Sequence, residues 1–125
     1  MATNRTKTVP PVISIKIRLH HEFGYALGPG KAALLEAIIE TKSVAAAGRK
    51  MGLSYWKTRH LLDEMNKCFA SPVVVTTRGG DKGGGSRVTK SGMEALALFR
   101  EMEEQATNAI SPFTHRFQRL LAKQP

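Results

Sequence analysis

The residues with the clearest chemical potential are 78–87, which read RGGDKGGGSR. Five of the ten are glycine, and Arg78, Lys82 and Arg87 are basic. Glycine-rich loops with basic residues commonly hold phosphate groups. The phosphate could belong to a nucleotide, which would indicate an enzyme, or to a nucleic-acid backbone, which would indicate a binding protein.

The nucleotide interpretation fails on spacing and on context. A phosphate-binding loop of the Walker type needs a Gly-Lys-Ser/Thr ending that opens a helix. With Gly79 as the first glycine, Gly84 fits, but Gly85 stands where the lysine should precede Ser86. Residues 87–89 then predict a strand, so no helix N-terminus would face the phosphate. A dinucleotide-binding fingerprint is excluded for the same reason.

No second set of residues predicts catalysis or metal binding. One cysteine, Cys68, excludes an internal disulfide and a cysteine zinc cluster. The histidines lack the spacing of metal ligands: His20, His21, His60 and His115. We therefore expect no enzymatic activity, no metal, no cofactor and no small-molecule ligand within this chain.

The charge indicates a polyanionic partner. The 125 residues carry a formal net charge of +9. Between 42 and 90 there are ten Lys/Arg and three Asp/Glu, whereas 91–104 has one Arg and four Glu. Such a basic segment favours nucleic acid or an acidic membrane surface. Because the chain lacks both the roughly 18–20 consecutive apolar residues of a membrane span and an apolar signal-peptide region, we expect a cytoplasmic protein without membrane association.

Periodicity predicts the elements that would position these residues. Residues 12–20 alternate as a half-buried strand, and 22–28 could return as a second strand. Helices are expected over 29–41, from a Ser43 cap to Gly52, and from a Ser54 cap to about Phe69. Strands at 73–77 and 87–89 then flank the glycine-rich loop. A long helix should run from 89 or 90 to about 109, and Pro112 should separate it from a last short helix.

Residues 43–69 have the dimensions of a helix-turn-helix. Ala46, Ala47 and Gly48 would let the two helices cross closely. Spacing at 100° per residue puts one apolar face of the second helix inward, so that Trp56, His60 and Lys67 lie outward with Tyr55 and Arg59 on a flank. Trp56 could face DNA or pack under a neighbouring arm. The candidate DNA-binding residues here are Ser43, Ser54, Tyr55, Trp56, Lys57, Arg59 and His60.

The hairpin that follows completes the predicted fold class, which is mainly α with a small β component. We expect a winged helix-turn-helix with a long C-terminal dimerisation helix. The second helix would enter the major groove, and Arg78, Lys82 and Arg87 would contact backbone phosphates. The predicted domains are a disordered arm at 1–11, the DNA-binding domain at 12–90, and a dimerisation helix with a tail at 91–125.

The chain resembles a known family over residues 28–104. The segment GPGKAALLEAIIETKSVAAAGRKMGLSYWKTRHLLDEMN followed by GGDKGGGSRVTKSG is similar to the DNA-binding domain of the ModE family of molybdate-responsive transcriptional regulators. That domain is a winged helix related to the one in LysR-type regulators. The resemblance implies a homodimer on double-stranded DNA, with Ser54, Tyr55 and the region of Lys57 at the DNA-facing end of the recognition helix.

Two departures from the family pattern affect what is expected. Family members often carry Trp where this chain has Arg59, so base contacts and operator could differ. Nothing after Gln105 has the length of the molybdate-binding domains, so the resemblance implies DNA binding without metal sensing. The alternative hypothesis is a protein-interaction module that pairs through its C-terminal helix with another regulator.

Overall fold

The structure is a computed structural model that describes residues 13–77 and 85–123. The elements in chain order are β1 (Leu19–His21), β2 (Gly24–Leu27), α1 (Pro29–Thr41), α2 (Val44–Lys50), α3 (Tyr55–Cys68), β3 (Val74–Thr77), β4 (Gly85–Val88) and α4 (Lys90–Gln118). The strands form two separate antiparallel pairs, β1 with β2 and β3 with β4. None of the described helices has the combined length and apolar character required to cross a bilayer.

Helix α1 lies at the centre of the core. Pro29 begins it, which suits a position whose amide would have no helical partner. Leu34, Leu35 and Ile38 are fully buried, because β2, β4 and the other three helices all contact α1. Each such side chain contributes about 1.5–3 kcal/mol through burial. The core that forms around them includes Leu27, Ala32, Val44, Ala47, Leu62, Met65, Val73, Val74, Leu96 and Phe99.

The first part of α4 is attached firmly to α1. Leu96 and Phe99 are buried. Arg100 Nη2 lies 2.9 Å from Glu36 Oε1 on α1, and Arg100 Nη1 lies 2.8 Å from Glu103 Oε1. Beyond Arg100 most side chains of α4 are exposed. The first three turns therefore belong to the core and the remainder projects from it.

Two predicted boundaries are wrong. Pro112 does not end the helix, because α4 runs unbroken to Gln118; one missing amide donor removes only one of the many hydrogen bonds of a 29-residue helix. The predicted strand over 12–20 is paired only at Leu19–His21. Its alternation of half-buried and exposed residues persists from Ile13, but β2 has only four residues and offers no partner further back.

The fold-class prediction is also corrected. The described residues form four helices and two small antiparallel sheets. The first of these sheets, the strand pair expected within 12–28, packs through β2 on α3. The predicted loop with Arg78 and Lys82 lies outside the described residues. A winged helix-turn-helix is therefore not shown.

Candidate functional site

Helices α2 and α3 are joined by a short turn that glycine makes possible. Gly52 has φ +72°, a left-handed conformation that disfavours other residues. Ser43 Oγ accepts a hydrogen bond from Ala46 N at 3.0 Å, and Ser54 Oγ accepts one from Lys57 N at 3.0 Å. Both predicted caps are confirmed. The start of α3 is consequently fixed at Tyr55.

The two helices cross at Gly48 and Thr58. A Cβ atom at Gly48 would lie 2.3 Å from Thr58 Oγ1. That hydroxyl is held in place because it donates to Ser54 O at 2.7 Å. The expected close crossing at the small residues of α2 is confirmed at this position.

Gly48→Ala should therefore destabilise the protein by less than about 2 kcal/mol, because overpacking costs about 1–3 kcal/mol and the higher helix propensity of alanine offsets about 1 kcal/mol. The free energy of unfolding in urea measures this. Adding Thr58→Ala removes the clashing hydroxyl and should recover part of the loss, so the two substitutions should be non-additive. If the free-energy changes of the two substitutions simply add, contact with the Thr58 hydroxyl is not the cause of the loss in Gly48→Ala.

No described residue covers the outer face of α3. Trp56 is 83% exposed, so it does not pack under any described part of the chain. Tyr55, Lys57 and His60 are also exposed. Thr58, Leu62 and Met65 are buried on the opposite side, with Leu61 and Phe69 half-buried, as the periodicity predicts. The helix therefore presents an aromatic and basic face to solvent.

A cleft of about 160 Å³ lies between this face, the start of α2 and the second hairpin. We call it the α2–β4 cleft. It contains hydroxyl groups and a guanidinium, which are hydrogen-bond donors suited to an anion. The Arg59 side chain reaches it while its Nη2 lies 3.3 Å from Asp63 Oδ1. The cleft is lined by Ser43, Val44, Ala45, Tyr55, Arg59, Thr76, Gly85 and Ser86.

The structure brings together only some of the predicted site residues. Ser43, Tyr55 and Arg59 meet in the α2–β4 cleft. Trp56, Lys57 and His60 lie on the adjoining outer face, and the Ser54 side chain is occupied as a cap. Arg87 does not line this cleft; with Ser86 it lines a second groove beside Lys42 and Met93. Arg78 and Lys82 lie outside the described residues.

Sequence reasoning missed the contribution of the second hairpin to the cleft. Ser86 is buried, its Oγ lies 3.5 Å from Thr76 Oγ1, and its amide donates to Lys42 O at 3.0 Å. The last bond fixes β4 to the junction of α1 and α2. Alternation along 85–88 indicated which side chains share a face, but not which face meets α2.

A partly buried ion pair between α1 and α3 was also missed. Lys31 Nζ lies 2.9 Å from Glu64 Oε1 and also donates to Tyr25 O. Tyr25 N donates to Glu64 Oε2 at 3.1 Å. The bonds from Lys31 and then Tyr25 hold the pKa of the Glu64 carboxyl below its ordinary value. Its contribution to stability is therefore present above the ordinary carboxyl pKa and is lost as pH falls through the lowered one.

The part of the chain that the structure describes contains no group of three or more His, Cys, Asp or Glu side chains able to hold a metal ion. Among the described residues that line the α2–β4 cleft, Arg59 alone has a charged side chain, so this lining suits a ligand that accepts hydrogen bonds.

Known proteins that are similar to this chain have names that refer to molybdenum. The chain is 37% identical over 90 residues to the molybdenum-pterin-binding protein MopB of Rhodobacter capsulatus, a match of 72% of this chain and 33% of that protein. It is 32% identical over 101 residues to the molybdenum transport protein ModE of Azotobacter vinelandii, covering 81% of this chain and 37% of that protein. This chain is similar to molybdenum-related proteins. No family model matches.

The chain spans about a third of the length of these relatives. A second ModE, from Herbaspirillum seropedicae, is 33% identical over 93 residues. The molybdenum-related part of the resemblance is thus supported, and none of these names is that of an enzyme. The narrower prediction, that the chain corresponds to the family's DNA-binding domain without its molybdate-binding domains, is contradicted by these relatives. The relatives' names describe molybdenum-pterin binding and molybdenum transport, and none mentions DNA.

Proposed function

We propose that this chain binds double-stranded DNA sequence-specifically and regulates transcription in a molybdenum-related context. The observation that carries the proposal is the uncovered outer face of α3, where Trp56, Lys57 and His60 are exposed beside Arg59. A major groove about 12 Å wide admits one α-helix. With 14 residues, α3 is about 21 Å long and could lie in the groove while Ser54 and Tyr55 approach the backbone.

The α2–β4 cleft supports the same orientation. A phosphate there would meet the Ser43, Tyr55 and Ser86 hydroxyls, while Arg59 at the border with the outer face of α3 would reach a base edge. Contacts of this kind set the register of a protein on DNA, whereas side chains on base edges set the sequence. The net charge of +9 adds an attraction that weakens with salt.

The direct test is selection of bound duplexes from a random pool, followed by binding measurements at several salt concentrations. We expect one recovered motif that is bound far more tightly than a random duplex of equal length. No binding at low salt, or equal binding of both duplexes, would remove the proposal of sequence-specific recognition.

Arg59→Ala should weaken binding to the selected motif by about 1–3 kcal/mol and relax preference at one position if the guanidinium reads a base edge. Lys67→Ala is the matched control, because it removes one positive charge two turns further along α3. The control should weaken binding to all duplexes alike. Fluorescence anisotropy with the selected and random duplexes measures both. If the two substitutions change binding to the two duplexes in the same way, Arg59 contacts the DNA backbone and not a base edge.

We also propose that the chain forms a homodimer through α4. An apolar row repeats every three or four residues along its projecting part, with the spacing of a helix seam. We call it the α4 stripe, and it comprises Met102, Ala106, Ala109, Phe113 and Phe117 of α4 with Leu120 in the turn that follows the helix. Phe113 and Phe117 are 63% and 54% exposed. Such a row of exposed apolar groups favours a partner.

Charge along α4 favours a second copy in antiparallel orientation. Glu101 and Glu104 lie near the start of the α4 stripe, and Arg116 and Arg119 lie near its end. An antiparallel copy would bring each acidic end beside a basic end, whereas a parallel copy would juxtapose like charges. A dimer would also present two copies of α3 to a DNA site with two-fold symmetry.

A second candidate function is binding of a molybdenum oxyanion, and the names of the relatives favour it. Molybdate is tetrahedral, as phosphate is, so the donors of the α2–β4 cleft suit either anion. The absence of a metal-ion cluster among the described residues does not bear on an oxyanion, which is recognised by donors. In this case the cleft would hold a free molybdate ion instead of a phosphate group of DNA.

Titration calorimetry of the whole chain with sodium molybdate, and with phosphate as control, distinguishes the two functions. Saturable molybdate binding that Arg59→Ala abolishes would support the second candidate. Binding of the selected duplex with no heat from molybdate would support DNA binding alone.

A further inference from the structure

The Lys31–Glu64 pair has features that go beyond holding the fold together. Lys31 is 1% exposed, and its ammonium is satisfied by Glu64 Oε1 and Tyr25 O. Its Nζ also lies 3.8 Å from the centre of the Tyr25 ring. Glu64 Oε2 accepts the Tyr25 amide. The Glu64 carboxylate on α3 thereby accepts from Lys31 of α1 and from the Tyr25 amide of β2, and Lys31 also donates to the Tyr25 carbonyl.

The surroundings are shaped to admit this carboxylate. Gly24 has φ +140°, and a Cβ atom there would lie 3.0 Å from Glu64 Oε2. Arg18 also lies over the Tyr25 ring, with its Cζ 4.2 Å from the ring centre. The first hairpin therefore accommodates Glu64 through a glycine at position 24 and bonds the Lys31–Glu64 pair through the amide and carbonyl of Tyr25.

A partly buried ion pair is a weak source of net stability; Lys31 is removed from water, whereas the Glu64 side chain stays 29% exposed. Burying a charge costs several kcal/mol, and apolar side chains of similar volume often stabilise a protein equally well. What apolar contacts lack is direction. The three hydrogen bonds of Glu64 and Lys31 restrict rotation of α3 about its own axis, since such bonds weaken steeply when their angles change.

Rotation of α3 matters at its outer face. His60 lies one turn before Glu64 and Lys57 two turns before it, on the same side of the helix. Side chains extend about 5–6 Å from a helix axis, so a turn of about 10° moves them by about 1 Å. A displacement of that size is enough to break a hydrogen bond to a base edge.

We propose that Lys31 and Glu64 are positioning residues that set the rotation of α3 for sequence recognition. The proposal rests on DNA binding as proposed above. Neither side chain contacts DNA in this arrangement, because both act through the orientation of α3. The pair influences discrimination between sequences more than it influences folding or general affinity for DNA.

The test compares binding to the duplex selected by the wild-type chain with binding to a random duplex of equal length. Lys31→Met combined with Glu64→Leu replaces the pair by apolar groups. This double variant should keep its unfolding midpoint and its affinity for the random duplex, yet lose at least tenfold in preference for the selected one. Lys31→Arg keeps the charge and a donor to Glu64, and should retain most of that preference.

If the double variant does not fold, Glu64→Gln replaces it in the same binding comparison. An amide can satisfy either Lys31 or Tyr25 N with its oxygen, but not both, so preference should fall by several-fold. A folded variant of either kind with full preference would overturn the proposal, as would a loss that parallels the loss of stability. A wild-type chain without sequence preference would instead refute the proposed function itself.

Discussion

Replacing Phe113 and Phe117 by aspartate should dissociate the dimer at concentrations where the wild-type chain is paired. The dimer would bury four phenylalanine rings of the α4 stripe, each contributing about 1.5–3 kcal/mol. Aspartate removes this burial and places charges in the seam. We expect at least a hundredfold rise in the dimer dissociation constant, measured by analytical ultracentrifugation.

Phe23→Asp is the matched control, because Phe23 is equally exposed but lies in the turn of the first hairpin. It should leave the dimer unchanged. The double α4 variant should keep its unfolding cooperativity, since the core residues of α4 are Leu96 and Phe99. Unaltered pairing in that variant would show that the α4 stripe is not the contact between copies.

Binding to DNA should respond in a specific way. A monomer retains α3 and the α2–β4 cleft, so affinity for a single half-site should be kept. Affinity for a symmetric duplex should fall, because the second half-site is no longer bound by a linked copy. Equal loss on both duplexes would indicate that the α4 substitutions disturb α3.

Gly92→Ala should produce the largest loss of stability among the alanine substitutions. Thr89 caps α4 by accepting the Gly92 amide at 3.0 Å, and its own amide donates to Val73 O at 2.9 Å. A Cβ atom at Gly92 would lie 2.3 Å from the same Val73 oxygen and 2.6 Å from Val88 Cγ1. The oxygen cannot move without breaking the bond that fixes the start of α4.

Helix propensity acts in the opposite direction and decides the size of the effect. Alanine is favoured over glycine by about 1 kcal/mol inside a helix. Overpacking against fixed atoms costs about 1–3 kcal/mol, occasionally more. Because the contact here is with backbone, we expect an overpacking cost of about 3 kcal/mol, the upper end of that range, and so a net loss of about 2 kcal/mol by urea unfolding.

Gly30→Ala is the control for that substitution. Gly30 also lies in the first turn of a helix, but nothing is within 4 Å of its Cβ position. Alanine should therefore be neutral there, or stabilising by up to about 1 kcal/mol. If both substitutions have the same sign, the contact with Val73 O does not control the stability of α4.

Much of the local structure follows from the sequence. Ser43, Ser54 and Gly52 act over one helical turn, so the bounds of α2 and the start of α3 could be predicted without knowing the rest of the fold. The inward face of α3 follows from a period of 3.6 residues for the same reason. Pro112 misled the prediction because a local helix-breaking tendency is outweighed by the hydrogen bonds on either side of it.

The sequence by itself determined the caps, the buried face of α3 and the net charge of +9, because these depend on neighbours along the chain or on composition alone. Only the tertiary structure decided that Lys31 is buried against Glu64, 33 positions away, and that Ser86 faces the α2–β4 cleft while Arg87 does not. Such placements depend on how separate elements pack. No periodicity within one element specifies which residue of a distant element it will meet.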